Sequence, residues 1–365
     1  MRILAFPKSV TSLSNLVHKE TMQVLVTGGG GFLGKAIVRR LRVTGATVRT
    51  LARGDYPELR ELGVETRQGD IADADAVLNA AADCELVFHV AAKAGVWGRY
   101  EEYHQANVIG TENVLSACRK LNIPRLVYTS SPSVVFDGKD EAGINESAPY
   151  PENYLAHYPK TKAIAEQAVL RANGEKLPGG AILSTVALRP HLIWGPGDNH
   201  LVPRLIERAR SRRLRRVGKG QNLVDTVYID NAVDAHLLAA EKLNPDSTIA
   251  GKAYFISNDE PTPLWGLIDR MLGCAGIRPV TRSISARSAY AIGSLLESIY
   301  NLLGKQDEPP MTRFVARQLA TAHWFDISAA KRDLGYQPKV TVDDGLLQLS
   351  EWLRSLPKHE VTPAR

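Results

Sequence analysis

The sequence predicts an α/β fold, in which a doubly wound parallel sheet is followed by a smaller, mainly helical C-terminal region. Two observations predict it. From Met22 to about Leu188, short apolar runs alternate with helical stretches, which is typical of a parallel sheet with helices on both faces. After Pro190 the alternation ends, and helical stretches are separated by joints rich in proline and glycine.

The apolar runs predict strands, and the stretches between them predict crossover helices. Strands are expected at 23–27, 48–51, 64–68, 86–90, 125–129 and 184–188, with helices at 32–43, 74–82, 103–121 and 158–172. Beyond Pro190 we expect helices at 202–211, 229–243, 263–275 and 342–353 and a short strand at 252–256. Because such a sheet binds ligands beyond the carboxyl ends of its strands, we expect the site there.

The same patterns divide the chain into parts. The predicted parts are an N-terminal extension (1–21), a sheet domain (22–189, with strand and helix contributions from about 220–243), a cap (mainly 190–355) and a tail (356–365). Met22 directly precedes the first strand. The extension is therefore interpreted either as a disordered segment or as an upstream start of translation.

The composition is that of an ordinary globular protein. The 365 residues are 44% hydrophobic and 23% charged, and the net charge of +6 is only mildly basic. No basic motif interleaved with aromatic residues accompanies this charge, so no nucleic-acid partner is expected. No apolar run is long enough to span a membrane. Cys84, Cys118 and Cys274 lie far apart without a CxxC or Cys/His cluster, which predicts free thiols in a reducing cytoplasm and no metal site.

A glycine-rich turn follows the first predicted strand and opens the first predicted helix. In Thr27-Gly-Gly-Gly-Gly-Phe-Leu-Gly34, the first glycine allows a tight turn, the one at 31 lets a pyrophosphate approach, and the last lets helix pack on strand. Amides at the helix N-terminus then hold the phosphates. The turn predicts a Rossmann dinucleotide site formed by Gly28, Gly31, Phe32, Leu33 and Gly34.

The end of the second strand indicates which dinucleotide binds. An acid there favours NAD by holding the adenosine ribose hydroxyls, whereas an arginine favours the extra phosphate of NADP. This chain has Ala52 and Arg53, and no acid before Asp55. NADP(H) is therefore preferred over NAD(H), although a solvated loop position for Arg53 remains open.

Residues at the ends of the third and fourth strands are expected to enclose the adenine and its ribose. They are Asp70, Ile71, Ala91, Ala92 and Lys93. For Asp70, a role as a helix cap is equally open.

Tyr158 and Lys162 are the candidates for the chemistry itself. Four residues apart on a predicted helix, they share one face. A lysine ammonium there is expected to lower the phenol pKa from about 10, which makes the tyrosine a general acid or base. Ser131, at the end of the fifth strand, is the expected donor to the substrate oxygen, with Ser130 and Ser133 as rivals, although serines there are usually turn formers. With the glycine turn, these residues indicate an enzyme that moves a hydride to or from a carbonyl carbon.

From residue 22 to about 355, the chain resembles an extended short-chain dehydrogenase/reductase of the 3β-hydroxysteroid dehydrogenase branch. The resemblance rests on the glycine turn, Ser131, Tyr158 with Lys162, and Arg189-Pro-His-Leu-Ile-Trp-Gly-Pro-Gly-Asp198. It implies that Tyr158 is the acid/base, that Lys162 tunes it and binds the nicotinamide ribose, and that Ser131 aligns the carbonyl. It also implies that Pro190 borders the nicotinamide.

A narrower resemblance is to bacterial 2-alkyl-3-oxoalkanoate reductases of long-chain olefin biosynthesis. It rests on Ala91-Ala-Lys-Ala-Gly-Val-Trp-Gly98, Tyr103-His-Gln-Ala-Asn107, Leu201-Val-Pro-Arg-Leu205 and Asp225-Thr-Val-Tyr-Ile-Asp-Asn231. It implies a reversible reduction of the ketone of a 2-alkyl-3-oxoalkanoic acid, within lipid metabolism. Three alternatives stay open: a 3β-hydroxysteroid or 4-carboxysterol 3-dehydrogenase, a non-catalytic NADP-sensing protein, and a sugar-nucleotide epimerase.

Two further segments bear on the substrate and the partners. Residues 204–216 contain seven arginines, of which Arg204 and Arg208 share a helical face and are candidates for steering an acidic substrate, while the others are expected to be solvated. The mostly apolar stretch 286–303 suits an alkyl-chain channel, a membrane surface, a partner enzyme or ordinary packing in the cap. The resemblance is compatible with a homodimer formed through the two long predicted helices at 103–121 and 158–172.

Overall fold

Residues 22–357 are the part of the chain that the computed structural model describes. Its strands are β1 (Gln23–Thr27), β2 (Thr47–Ala52), β3 (Glu65–Gln68), β4 (Leu86–His89), β5 (Arg125–Thr129), β6 (Glu141–Ile144), β7 (Ser184–Pro190), β8 (Ile193–Trp194), β9 (Arg216–Val217), β10 (Leu223–Val224), β11 (Val227–Tyr228), β12 (Ala253–Ile256), β13 (Thr262–Pro263), β14 (Ser283–Ile284) and β15 (His323–Phe325). Its α-helices are α1 (Phe32–Val43), α2 (Pro57–Arg60), α3 (Ala74–Ala81), α4 (Tyr100–Tyr103), α5 (Gly110–Leu121), α6 (His157–Arg171), α7 (Leu201–Arg210), α8 (Ile229–Lys242), α9 (Leu264–Cys274), α10 (Ala286–Leu302), α11 (Arg313–Ala320) and α12 (Val342–Ser355). Shorter helical turns are His104–Ile109 and Ala330–Leu334, which are π-helical, and Pro132–Val134, which is 3₁₀.

A seven-stranded parallel sheet confirms the predicted fold class. The strand order is β12-β7-β5-β4-β1-β2-β3, and every neighbouring pair is parallel. In β1, at the point where the winding reverses, Val24 pairs with Val48 of β2 and with Leu86 of β4. The ligand crevice of such a sheet lies at this reversal, beyond the carboxyl ends of the strands.

Helices cover both faces of the sheet because the side chains of each strand alternate between them. On β5, Val127 lies in an apolar cluster with α1 and α8, whereas Leu126 and Tyr128 lie in a second cluster with α3, α5 and α6. With both faces covered, β4 and β7 are buried along their whole length.

The sequence predicts that residues from about 220–243 contribute a strand and a helix to the sheet domain. In the structure, the strand that the C-terminal region adds to the large sheet is β12, which lies beyond residue 243. From 220–243, helix α8 packs beside β5 and β7. The other strands of this region form the small sheets β13-β10-β15-β6, β11-β8 and β14-β9, the first of which also includes β6 from before residue 189. The domain boundary near residue 189 stays a prediction, since the chain returns to the first sheet beyond it.

Two predictions about the chain ends concern residues outside the described part, namely the extension 1–21 and the tail from residue 358 onwards. Within 22–357, no helix is both long enough and apolar enough to cross a membrane. In the same range, no three His, Cys, Asp or Glu side chains are grouped as metal ligands.

The three cysteines are free. Burial raises the pKa of Cys84 to about 11 and that of Cys118 to about 12, so neither is a reactive thiol.

Candidate active site

The glycine turn between β1 and α1 has the shape of a phosphate cradle. Gly28 has a φ of 72°, and its amide donates to the Leu51 oxygen at 2.8 Å. A Cβ on Gly34 would lie 2.2 Å from the Gly28 oxygen, so only glycine lets α1 approach the turn this closely. The N-cap of α1 is Gly31, and no side chain caps this helix. The first-turn amides of α1 are therefore available to an anion, and the residues present fit the pyrophosphate of a dinucleotide.

The segment after β4 lies directly over this turn. A Cβ on Gly28 would lie 2.9 Å from the Cα of Ala91. Asn107 accepts from the Lys93 amide at 2.7 Å and donates to the Lys93 oxygen at 3.1 Å. The same side chain donates to Thr161 of α6 at 3.0 Å. Asn107 thereby fixes the cofactor edge of the crevice to the helix that carries Tyr158 and Lys162.

The contacts of Asp70, at the end of β3, show whether this residue caps a helix. Asp70 is exposed and accepts from the Ala72 amide at 2.9 Å, whereas the N-cap of α3 is Asp73. The alternative role of Asp70 as the helix cap is therefore wrong. Ile71 is buried, and Ala92, which follows β4, is exposed.

Arg53 lies exposed at the end of β2. Its backbone oxygen accepts from the Gln68 side chain at 2.9 Å, which holds the backbone and leaves the guanidinium on the surface. Asp55, the next acid along the chain, pairs with Arg60, and this hydrogen bond lowers the pKa of Asp55. The strand end thus presents a cation where an NAD-binding chain places an acid.

Tyr158 and Ser131 meet at the carboxyl end of β5. Tyr158 lies in the first turn of α6, and Ser131 follows the strand. Burial raises the pKa of Tyr158 above its usual 10, and a hydrogen bond with Ser131 opposes this rise. The Oγ of Ser133 is 2.9 Å from that of Ser131, while the buried Ser130 Oγ has no hydrogen-bond partner within residues 22–357. Of the three serines, Ser131 is the one that influences the pKa of Tyr158.

Lys162 is buried one turn further along α6. Its Nζ donates to the Thr129 oxygen at 2.6 Å and lies 4.1 Å from the centre of the Tyr128 ring. Burial lowers the pKa of Lys162 to about 7, and the charge of Glu166 opposes the decrease. The expectation that Lys162 lowers the pKa of Tyr158 is therefore wrong, because burial disfavours the charged forms of both side chains.

A buried ion pair fastens α6 to β7 behind these residues. Arg189 donates to Glu166 at 2.6 and 2.9 Å, and the two side chains are 3% and 0% exposed. The Tyr150 hydroxyl donates to the same carboxylate at 2.6 Å. Because a bidentate pair fixes distance and angle together, it sets the position of α6 against the strand that ends in Pro190.

Pro190 is buried where β7 leaves the sheet. Beside it, the Nδ1 of His191 is 2.8 Å from an oxygen of Asp225. The other oxygen of Asp225 accepts from the Phe325 amide at 2.9 Å. The backbone at Pro190 is thus anchored to the C-terminal region, at the side of the crevice opposite the segment after β4.

Sequence reasoning assigned no role to Asn107, to Tyr56 or to the Glu166–Arg189 pair. Tyr56 lies over the glycine turn, since a Cβ on Gly30 would be 2.0 Å from its ring. A signal existed for Glu166, which is four residues beyond Lys162 and so shares its helix face. Asn107 lies in one of the motifs that carry the narrower resemblance, but no local pattern indicates its contacts or those of Tyr56, because these arise where distant segments cross.

Comparison with known proteins agrees with this geometry. The model of the 3-beta hydroxysteroid dehydrogenase/isomerase family matches residues 25–284. The chain is 52% identical over 341 residues to a 2-alkyl-3-oxoalkanoate reductase of Shewanella oneidensis, covering 93% of this chain and 88% of that protein. A protein of the same name from Stenotrophomonas maltophilia is 54% identical over 331 residues, covering 90% and 98%.

Among solved structures, the fold is similar to that of MoeE5 in complex with UDP-glucose and NAD. The two structures have a TM-score of 0.69 at 26% identity, and the match covers 91% of this chain and 98% of MoeE5. The similarity includes the parallel sheet and the C-terminal region.

Proposed function

This chain belongs to the 3-beta hydroxysteroid dehydrogenase/isomerase family, and we propose that it reduces the ketone of a 2-alkyl-3-oxoalkanoate to the 3-hydroxy acid with NADPH. Family and relatives make it an oxidoreductase that acts on CH–OH groups with a nicotinamide cofactor. The observation that carries the proposal is the placement of Tyr158 and Lys162 one turn apart on α6, together with Ser131, which follows β5 and influences the pKa of Tyr158. The substrate class is the one in the names of the two bacterial relatives.

The chain's own residues handle the oxygen of the ketone. When bound, the nicotinamide supplies the hydride that the ketone carbon accepts. Ser131 donates a hydrogen bond to the ketone oxygen and stabilises the negative charge that develops there. Tyr158 donates its phenolic proton to the same oxygen, which completes the hydroxyl group. In the reverse direction, these side chains take the proton from the alcohol.

The raised pKa of Tyr158 suits a proton donor. A phenol with a pKa above 10 is protonated at neutral pH, so the free enzyme already holds the proton that reduction consumes. With a pKa of about 7, Lys162 responds to charge placed near it. Negative charge that a bound dinucleotide would bring near Lys162 would favour the charged form of this side chain.

The preference for NADP over NAD rests on the end of β2. Arg53 is exposed there, and Asp55 is already paired with Arg60. A guanidinium binds a phosphate through two parallel hydrogen bonds, whereas it offers no acceptor to the ribose hydroxyls of NAD.

Replacing Tyr158 by Phe removes the proton donor and keeps the ring. We expect kcat for a 2-alkyl-3-keto acid to fall about 10³-fold, while the Kd for NADPH, measured by fluorescence titration, is nearly unchanged. Assays with the keto acid and with a 3β-hydroxysterol, each with both cofactors, test the substrate class. Retention of most activity in the variant, or turnover of the sterol alone, would overturn the proposal.

For the partners, we propose that α10 rests on an anionic lipid surface from which the substrate is taken. One face of α10 packs on α11, where Glu297 pairs with Arg313 at 2.6 Å. The opposite face exposes an apolar stripe: Ile292, Leu295, Ile299 and Leu302. Arg287 and Lys305 are exposed near its two ends, so the stripe is flanked by positive charge.

Sedimentation with lipid vesicles tests this contact. The variant Leu295→Glu/Leu302→Glu is expected to lose binding to anionic vesicles, whereas Leu347→Glu, which alters another exposed leucine on α12, keeps it. Equal vesicle binding by the unmodified protein and both variants, or no binding by any of the three, contradicts the proposal. If the Leu295→Glu/Leu302→Glu variant instead abolishes self-association, the stripe is a contact surface for a second copy of the chain.

We also propose a homodimer and a cytoplasmic location. Helices α5 and α6 pack side by side on one face of the sheet, and so offer one continuous surface to a second copy. The free cysteines, two of them buried, suit a reducing compartment. Sedimentation velocity measures the assembly directly.

A further inference from the structure

The segment between α10 and α11, residues 304–310, joins two separate parts of the molecule, and we name it the strap. At one end, the Trp97 indole donates to the Lys305 oxygen at 3.1 Å, and the Trp97 ring meets that of Tyr300 edge-on. At the other end, Glu308 pairs with Arg204 and Arg208 of α7, in the second case at 3.1 Å.

The sheet topology shows where the two ends of the strap are anchored. Trp97 follows β4, α7 follows β7, and β5 lies between those two strands. The loop before α7 also approaches the glycine turn, since a Cβ on Gly197 would be 3.9 Å from the Phe32 ring. The two anchors of the strap therefore belong to segments that follow the strands on either side of β5, the strand that Ser131 follows.

Arg204 and Arg208 have the features of an anion site. They lie four residues apart on one face of α7 and are half-buried. Burial, and after it the charge of Arg208, lowers the pKa of Arg204 to about 10. Burial also lowers the pKa of Arg208, and the exposed Glu207 opposes both changes. Only one carboxylate, that of Glu308, forms ion pairs with the two guanidiniums within the described residues.

We propose that Arg204 and Arg208 bind the carboxylate of the substrate, and that Glu308 is the internal carboxylate which this group displaces. The inference rests on the proposed function, because a 3-oxo acid supplies the carboxylate. One carboxylate leaves the guanidiniums as another arrives, and no covalent bond changes. Substrate binding thus releases the strap from α7, while Trp97 keeps its other end in place.

The exposure of the groups makes this exchange feasible. The side chains of Arg204, Arg208 and Glu308 are 40%, 23% and 27% exposed, so water reaches the pair and solvates a displaced Glu308. Two guanidinium forks hold a carboxylate in a defined orientation, which a single exposed lysine does not achieve. The arginines therefore orient the acid, whereas Tyr158 and Ser131 handle the ketone.

The test compares a charged and a neutral substrate. With NADP⁺, the enzyme oxidises either a 2-alkyl-3-hydroxy acid or its methyl ester. In Arg204→Gln/Arg208→Gln, KM for the acid should rise about 10- to 100-fold, with little change in KM for the ester or in kcat. Arg213→Gln is the matched control, since it removes an exposed charge from the same part of the chain.

Glu308→Gln should act in the opposite direction. Without the competing carboxylate, KM for the acid should fall severalfold and KM for the ester should not. Equal effects on acid and ester in either variant, or a higher KM for the acid in Glu308→Gln, would overturn the inference. If the unmodified enzyme oxidises neither compound, the proposed function itself fails, and the inference fails with it.

Discussion

Two arginine–carboxylate clusters near the crevice differ in what surrounds them. The inner cluster joins Arg189 to Glu166, at 3% and 0% exposure, and adds the hydroxyl of Tyr150. The outer cluster joins Glu308 to two arginines, all at 23% exposure or more. Glu166 is held by one arginine through two hydrogen bonds, whereas Glu308 is shared between two arginines. The difference teaches that burial decides whether an ion pair is a permanent part of the fold or a group that a ligand can replace.

The physical reason is the cost of an uncompensated charge. Removing one partner of a buried pair leaves the other charge without water or a counter-ion, which costs about 3–5 kcal/mol. An ion pair that water reaches contributes about 0–1 kcal/mol, because the separated partners are hydrated. The same chemistry therefore serves structure in one cluster and exchange in the other.

The largest expected effect comes from breaking the inner cluster. Glu166→Gln should lower the free energy of unfolding by about 3–5 kcal/mol, because it strands the Arg189 charge. Glu308→Gln, the matched change in the outer cluster, should lower it by less than about 1 kcal/mol. Urea denaturation measures both. Similar losses in the two variants would remove the distinction between the clusters.

The next effect concerns Lys162, whose charge Glu166 supports. With a pKa of about 7 in the free enzyme, Lys162 must take up a proton to bind the cofactor at higher pH. The Kd for NADPH should therefore rise with pH above 7, by up to about tenfold per pH unit. In Lys162→Met the slope should disappear, and in Glu166→Gln its onset should move to lower pH, since Glu166 raises the pKa of Lys162. A Kd that does not depend on pH in the unmodified protein contradicts this assignment.

The smallest effect concerns Arg53, which lies outside both clusters. Arg53→Ser should raise the Kd for NADPH about tenfold by removing a charge-assisted hydrogen bond to the phosphate. The Kd for NADH should not change. Parallel titrations with the two cofactors measure this difference, and unchanged binding of both would make Arg53 a solvated loop residue.

Much of the sheet domain could be predicted, because its signals are local. The predicted strand at 23–27 and helix at 32–43 match β1 and α1, since a buried apolar run, a glycine turn and an amphipathic helix are each visible within a few residues. The small sheet β13-β10-β15-β6 could not be predicted. Its strands have two to four residues and come from distant parts of the chain, so only tertiary contacts define them.

In the candidate site, too, the local features could be predicted from the sequence, whereas the features that depend on distant contacts could not. The spacing of Tyr158 and Lys162 identifies the reacting face of a helix, and the serine cluster narrows the third group to a few positions. The pKa directions could not be predicted, because they depend on how completely β5 and the helices around α6 exclude water. Nor does any local pattern connect Glu308 with Arg204, which lies about a hundred residues earlier.

By itself, the amino-acid sequence determined the fold class, the family and the candidates for the reaction, since each depends on residues that are near one another in the chain. Tertiary structure alone decided which charges are buried and which are shared. Burial and pairing arise where distant segments meet, and the free energy of a charge depends on that surrounding rather than on its neighbours in the sequence.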